Sequence, residues 1–178
     1  MKLIVLDRDG VINQDSSEFV KTADEWIALP GSLEAIARFY HAGYKVVVAT
    51  NQSGLGRGLF TIHDLHAMHE KLQAGLREFG AKIDAFFICP HHPDEGCNCR
   101  KPAPGMFQDI IRRYEIRPHG MIAVGDSLRD LQAAASAGFS PYLVLTGNGL
   151  KTQATGGLPK RTQIRADLAA IADELLEE

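Results

Sequence analysis

The sequence predicts an α/β protein, a three-layer α/β/α sandwich on a parallel Rossmann-like sheet. Short apolar runs alternate with stretches of helical period along the chain, and the runs stop at polar or acidic turns. A strand–helix–strand unit closes by a right-handed crossover, so the strands run parallel and their C-terminal ends share one edge. With 178 residues, 45% of them hydrophobic and 23% charged, the chain fits one domain spanning 1–178 with a sizeable core.

The first strand is Leu3 to Leu6, short and apolar throughout, as a strand buried on both faces should be. It ends at Asp7-Arg8-Asp9-Gly10, where alternation would send Asp7 and Asp9 to one side and Gly10 allows a sharp turn. Residues 13–29 have neither a helical nor a strand period and read as a flap. Pro30-Gly31 closes it, Ser32 suits an N-cap, and Leu33, Ile36, Ala37 and Tyr40 follow at helical spacing as far as Gly43. The second strand, Lys45 to Ala49, stops at Thr50-Asn51-Gln52-Ser53 and a glycine-rich turn from Gly54 to Gly58.

Thr61 and Asp64 form a capping signal for a long helix ending near Gly80. Its His63, His66 and His69 recur every third residue and read as a partly exposed face without a role. Ala85 to Ile88 is a third strand that leads into a Cys/His loop. Pro104 opens another helix, running to Tyr114. Met121 to Val124 is the fourth strand, followed by Gly125-Asp126-Ser127 and a helix stopping at Gly138. Tyr142 to Leu145 is the fifth strand, Thr146 to Lys160 a loose loop, and Arg165 to Glu178 a terminal amphipathic helix. The stretch between Asp9 and Asn51 has room for the flap and one helix, so no large cap domain is expected.

Composition excludes several function classes. Nineteen Lys and Arg against 22 Asp and Glu leave a charge of -3, too balanced for a nucleic-acid or membrane-surface footprint. The N-terminal apolar run is too short for a signal peptide and no run approaches a membrane span, so the expected location is the cytoplasm and the expected state a monomer. The turn from Gly54 to Gly58 lacks the pattern of a nucleotide P-loop.

Four strand ends carry chemistry: Asp7 and Asp9, Thr50 and Asn51, Arg100 and Lys101, Asp126 and Asp130. Each pair alone has a plain reading as turn, cap or solvated charge. The set and its order resemble the haloacid dehalogenase superfamily of phosphatases. That resemblance implies Asp7 as nucleophile, Asp9 as acid and base, and Thr50 and Lys101 as further catalytic groups on the phosphoryl oxygens. Mg²⁺, a hard cation that prefers oxygen, would then be held by Asp7, Asp126 and the Asp9 carbonyl, with Asp130 behind them or bound through water.

The Cys/His loop spans 89–99 with the spacing C-x-H-x5-C-x-C. Three cysteines within eleven residues, beside two histidines, favour a metal over a disulfide. Cys89, Cys97, Cys99 and one imidazole fit tetrahedral Zn²⁺ in a closed, structural site. The plainer alternative is three free thiols. His91 is the histidine that the family pattern implies, and His92 could take its place.

The stretches DRDGVIN, TNQSG, CPHHP to CNCRKPAPGM, and VGDSLRD together are similar to the heptose 1,7-bisphosphate phosphatases of that superfamily, over about residues 1–145. The resemblance implies removal of the 7-phosphate from a sugar bisphosphate, on the way to nucleotide-activated heptose for lipopolysaccharide. It also implies substrate contacts from Asn51, Gln52, Ser53, Arg57, Arg100, Ser127 and Asp15 of the flap. A histidinol-phosphate phosphatase is the rival enzyme, and a zinc-stabilised binding module the rival of another class.

Overall fold

The computed structural model describes residues 1–176. Among these, six strands form one parallel sheet in the order β3-β2-β1-β4-β5-β6. β1 (Lys2–Leu6) lies near its centre, followed on one side by β2 (Tyr44–Asn51) and the edge strand β3 (Ala85–Cys89). On the other side follow β4 (Ile122–Gly125), β5 (Ser140–Val144) and β6 (Gln163–Arg165). Alternation along β1 divides its side chains between two cores. Ile4 and Leu6 join Val46 and Val48 beneath one layer of helices, and Leu3 and Val5 join Val47 and Ala49 beneath the other.

The first layer contains α1 (Ser32–His41), and the sequence continues through the single-turn α2 (Ser53–Gly56) to the long α3 (Ile62–Arg77). Beyond the Cys/His loop come α4 (Gly105–Tyr114), α5 (Leu128–Ser136), α6 (Gly149–Thr155) and α7 (Leu168–Leu176). α1 and α3 pack their apolar faces on the first core through Ile36, Phe39, Leu65, Met68, Leu72 and Leu76. α4 and α5 cover the second with Met106, Phe107, Ile110 and Ala134. The capping box of Thr61 with Asp64 forms as expected, and Ser127 with Asp130 forms another at the start of α5.

Several boundaries differ from expectation for identifiable reasons. Gly31, in the left-handed region at φ 76, precedes α1 in place of Ser32, whose hydroxyl instead donates to Val11 O at 2.8 Å. The segment 146–160 is not all loop. α6 forms there because Thr152 Oγ1, buried, donates to the Asp126 carbonyl at 2.7 Å, a tertiary anchor without a local sequence signal. β6 is only three residues long and pairs with β5 at the sheet edge. Arg165 belongs to it, so the terminal helix begins at Leu168; the expected end of that helix at Glu178 lies outside the described residues.

Register levels the strand ends. Leu6 pairs with Val48 on one side and Val124 on the other, and Asn51 pairs with Cys89. The turns after β1, β2, β3 and β4 therefore converge on one edge. The base of the flap is pinned there: Gln14 N donates to Ile27 O, Leu29 N to Ile12 O, and Lys71 Nζ of α3 to Ala23 O and Trp26 O at 2.7 Å. Among the described residues no helix is long and apolar enough to cross a membrane.

Candidate active site and metal cluster

Asp7 continues the sheet by one bond, its N–H donating to Val124 O at 2.9 Å. That fixes the point from which its carboxylate meets Lys101: Nζ lies 3.0 Å from Asp7 Oδ1, 2.7 Å from Asp130 Oδ1 and 2.8 Å from the Ala49 carbonyl. Lys101 is 2% exposed, so these partners replace its water shell. Burial opposes the ammonium charge, but Asp130 and Asp7 outweigh it and raise the Lys101 pKa. Asn51 holds the same residue by its backbone, accepting from Lys101 N at 3.0 Å and donating to Lys101 O at 3.1 Å.

Asp9 follows two residues after Asp7, with its side chain 22% exposed. Its Oδ1 accepts from Arg8 Nη2 at 2.9 Å, Arg8 Nε at 3.2 Å and Asn13 Nδ2 at 2.8 Å, and its Oδ2 accepts from Gln52 Nε2 at 3.0 Å. Gly10, at φ 84, lets this loop reach Asp126; a Cβ there would stand 2.1 Å from Asp126 Oδ2. Asp126 is oriented by Asn148, whose backbone N–H and Nδ2 both donate to its Oδ2, at 2.7 and 3.2 Å.

Asp7, Asp126 and Asp130 each offer an oxygen, and the three oxygens lie within 4.8 Å of one another. Burial, then Asp130, pushes the Asp7 carboxyl up to about 8 and that of Asp126 up to about 7. Asp130 goes the other way: burial would raise it, but Lys101 and the Ser127 hydroxyl hold it below the usual carboxylate range. One lysine thus faces an excess of carboxylate, and a hard divalent cation with oxygen ligands fits that imbalance.

The Cys/His loop folds into a second cluster in which Cys89, Cys97, Cys99 and His91 bring their ligand atoms within 4.8 Å of one another. Cys89 Sγ is 3.7 Å from Cys97 Sγ and 3.3 Å from Cys99 Sγ, and His91 Nδ1 is 3.2 Å from Cys99 Sγ. No disulfide links them. Burial and the two neighbouring sulfurs push the Cys99 thiol up to about 12, whereas at Cys97 burial is outweighed by hydrogen bonds with the Arg100 backbone, Cys99 and Cys89, which bring it down to about 7. A tetrahedral structural zinc fits this donor set. His92 is turned away, its Nδ1 accepting from Asp94 N at 3.2 Å to cap the 3-10 turn Pro93–Glu95.

A cavity of about 290 Å³ is lined by Asp7, Asp9, Lys101, Asp126 and Asp130. Gln52, Ser53, Arg57, Arg100 and Arg129 line it as well, as do Asp15, Ser16 and Phe19 of the flap. Arg57 Nε reaches Ser53 Oγ at 3.4 Å, and its guanidinium lies 5.6 Å from the Phe19 ring centroid. Arg100 Nη1 is buried with no hydrogen-bond partner among the described residues. Burial, then the charges of Arg129 and Arg57, lowers the Arg100 pKa. This cationic wall can take an anion.

Three expected contacts are diverted. Ser127 does not line the cavity, because its hydroxyl donates to Asp130 Oδ2 at 2.7 Å. Thr50 is buried behind the wall, its Oγ1 accepting from Gln52 Nε2 at 2.9 Å. Asn51 touches the cavity, but its amide is committed to Lys101. Sequence reasoning missed Arg8, Asn13, Arg129, Asn148 and His69. His69 is 7% exposed rather than part of an open helix face, and its ring nitrogen Nε2 lies 3.3 Å from Arg8 Nη1. The only local signal for Arg8 was a cation placed between two aspartates; Asn148 is far from Asp126 in sequence and had none.

The sequence profile of the haloacid dehalogenase-like hydrolases matches residues 14–138. The chain belongs to that family. Within it, the chain is 63% identical to the D-glycero-beta-D-manno-heptose-1,7-bisphosphate 7-phosphatase of Bordetella bronchiseptica over 100% of this chain and 99% of that protein. The protein of the same name from Pseudomonas putida is 51% identical over 99% of this chain and 100% of its own. The solved D,D-heptose 1,7-bisphosphate phosphatase from B. bronchiseptica, complexed with magnesium and phosphate, superposes with a TM-score of 0.98 at 63% identity over 99% of this chain and 98% of that one. As in this haloacid dehalogenase-like hydrolase, the relatives named are covered almost end to end.

Proposed function

We propose that this hydrolase removes the 7-phosphate of D-glycero-beta-D-manno-heptose 1,7-bisphosphate, a step toward nucleotide-activated heptose for lipopolysaccharide. Kinship supports the substrate and the beta configuration, since the relatives at 63% and 51% identity bear that name. The observation that carries the chemistry is Asp7 Oδ1, 3.0 Å from a buried Lys101 Nζ, in a cavity also lined by Arg57, Arg100 and Arg129.

In this reading Asp7 Oδ attacks the phosphorus of the 7-phosphate, the bond from phosphorus to the sugar oxygen breaks, and Asp9 gives that oxygen its proton. Asp9, now a carboxylate, takes a proton from water, whose oxygen attacks the aspartyl phosphate and returns Asp7 to its free form with release of inorganic phosphate. Lys101 offsets charge on the nucleophile and the phosphoryl oxygens. Asp7, Asp126 and the Asp9 carbonyl would hold Mg²⁺, with Asp130 behind them, and the bound cation would add positive charge at the phosphoryl oxygens. Thr50 would act through Gln52. Arg57, Arg100 and Arg129 would receive the remote 1-phosphate, with Ser53 and the flap residue Asp15 near the sugar.

The whole chain acts as one domain, a cytoplasmic monomer whose partner is a small sugar phosphate. The near-neutral charge supports that choice over a polyanion or a membrane surface. Histidinol phosphate brings an ammonium where the wall presents guanidinium groups, which disfavours it.

Turnover of the heptose bisphosphate, a heptose monophosphate and histidinol phosphate, each with Mg²⁺ and with EDTA, tests the assignment. The expected order is bisphosphate first, with activity lost in EDTA and in Asp7→Asn, and beryllofluoride density on Asp7. Preference for histidinol phosphate, or a phosphate mimic on another side chain, would overturn it.

A further inference from the structure

Arg8 is fully buried next to the nucleophile position, at 0% exposure. A guanidinium cannot shed its charge and is costly to bury unless its N–H groups find acceptors. Nε and Nη2 fork onto a single oxygen, Asp9 Oδ1, at 3.2 and 2.9 Å. The remaining nitrogen, Nη1, lies 3.3 Å from His69 Nε2 and 3.8 Å from Met68 Sδ, both on α3.

The imidazole is itself held rigidly. Its ring stacks on Phe86 of β3 with centroids 4.0 Å apart and planes 9° from parallel. Burial, then the charge of Arg8, holds the His69 pKa down to about 3, so the ring is neutral. Arginine has no lone pair to offer, so the facing nitrogen must be the acceptor and the ring proton sits on Nδ1. With the Arg8 fork and Asn13 Nδ2 at 2.8 Å, Asp9 Oδ1 already takes three donors. Oδ2 meets only Gln52 Nε2 among the described residues, at 3.0 Å.

We propose that His69 and Arg8 are positioning residues for the acid and base: His69 Nε2 aims the Arg8 fork at Asp9 Oδ1, leaving Oδ2 as the oxygen that carries the proton. The inference rests on the reading of Asp9 given above. Its reach is chemical, because the two half-reactions depend on Asp9 differently. A sugar alcohol needs a proton to leave, whereas nitrophenolate leaves as the anion. The second step, attack of water on the aspartyl phosphate with its proton passing to Oδ2, needs Asp9 whatever the substrate was.

Two substitutions at His69 separate positioning from packing. His69→Phe keeps the ring on Phe86 and removes the acceptor; His69→Gln loses the ring and keeps an acceptor oxygen near the place of Nε2. Positioning predicts that His69→Phe loses about tenfold to a hundredfold in steady-state turnover of the sugar bisphosphate. With p-nitrophenyl phosphate the same variant releases about one equivalent of nitrophenolate rapidly and then slows, as phosphorylated Asp7 accumulates. His69→Gln stays within a few-fold of the parent and shows no such burst. Arg8→Lys, which keeps a charge but not the fork, repeats the burst and stands in should His69→Phe not fold. The reverse order, with Phe like the parent and Gln impaired, makes His69 a packing residue and overturns the proposal. Asp9→Asn separates the two readings: if it still turns over, the role of Asp9 falls; if it is inactive while His69→Phe and Arg8→Lys behave like the parent, only the relay falls.

Discussion

Asn51 grips Lys101 by its backbone from both sides, Oδ1 accepting from Lys101 N at 3.0 Å and Nδ2 donating to Lys101 O at 3.1 Å. The pair joins the end of β2 to the chain leaving the cysteine cluster, and it sets the direction from which Nζ enters between Asp7 and Asp130. Asn51→Ala removes both bonds without touching a charge. Each such bond contributes about 0.5 to 1.5 kcal/mol, so kcat is expected to fall about fivefold to a hundredfold with a smaller change in KM. Steady-state kinetics of the bisphosphate checks it; an unchanged kcat would show that Lys101 holds its place without the grip.

Zinc removal acts on the same lysine from the other side. Protein purified without a metal-affinity tag is expected to carry about one equivalent of zinc, by elemental analysis. Cys97→Ser, or stripping with a strong chelator, is expected to lower Tm and, with Mg²⁺ restored, to leave kcat reduced. The loop between Cys89 and Lys101 loses its cross-link, and binding free energy of structural zinc is also folding free energy. Zinc content near zero with full activity would remove the structural role.

Stability of the metal-free protein should depend on pH in a defined direction. Asp7 and Asp126 titrate in the folded chain at about 8 and about 7, against about 4 for an unfolded aspartate. Between those values the folded state holds protons that the unfolded state has released, so the stability these two groups contribute is full below about pH 4 and is lost as pH rises toward 8. His69, held neutral in the folded chain, opposes this trend below about pH 6.5, so thermal melts in EDTA from pH 6.5 to 8 should show Tm falling as pH rises, and Mg²⁺ should flatten the slope. Asp7→Asn is expected to raise Tm in EDTA at pH 7.5 while abolishing turnover. A metal-free Tm that rises over this range, or is unaffected by Asp7→Asn, would contradict the carboxylate excess.

Specificity for the bisphosphate should rest on the arginine wall. Arg57→Ala is the clean probe, because Arg100 adjoins both Lys101 and Cys99. Loss of a charged hydrogen bond costs about 1.5 to 3 kcal/mol, so the kcat/KM ratio of heptose bisphosphate over heptose monophosphate should fall about tenfold to a hundredfold. An unchanged ratio would make Arg57 a solvated turn residue resting on Phe19, and would reopen histidinol phosphate as substrate.

The α/β class, the main strands and the chemistry gathered at their ends are legible along the chain. Those features are written in local patterns: an unbroken apolar run at Leu3 to Leu6, the capping signal of Thr61 with Asp64, the spacing from Cys89 to Cys99, and acids just past β1 and β4. Once the strands are parallel their ends share one edge, which brings the chain around Lys101 to the side of the sheet where Asp7 lies.

The partner that each polar group takes is set by long-range packing. Ser127 could have faced a substrate, yet spends its hydroxyl on Asp130; Asn51 could have done so, yet holds a backbone; and Asn148, in a glycine-bearing stretch without helical period, both starts α6 and orients Asp126. His69 reads locally as one of three histidines on a helix, and becomes a neutral acceptor for a buried arginine only because α3, β3 and the acid loop meet at one point. The physical reason is common to these cases. A buried donor or acceptor must be satisfied by whatever the packed chain brings within about 3 Å, and that neighbour is set by long-range contacts that leave no periodicity in the sequence.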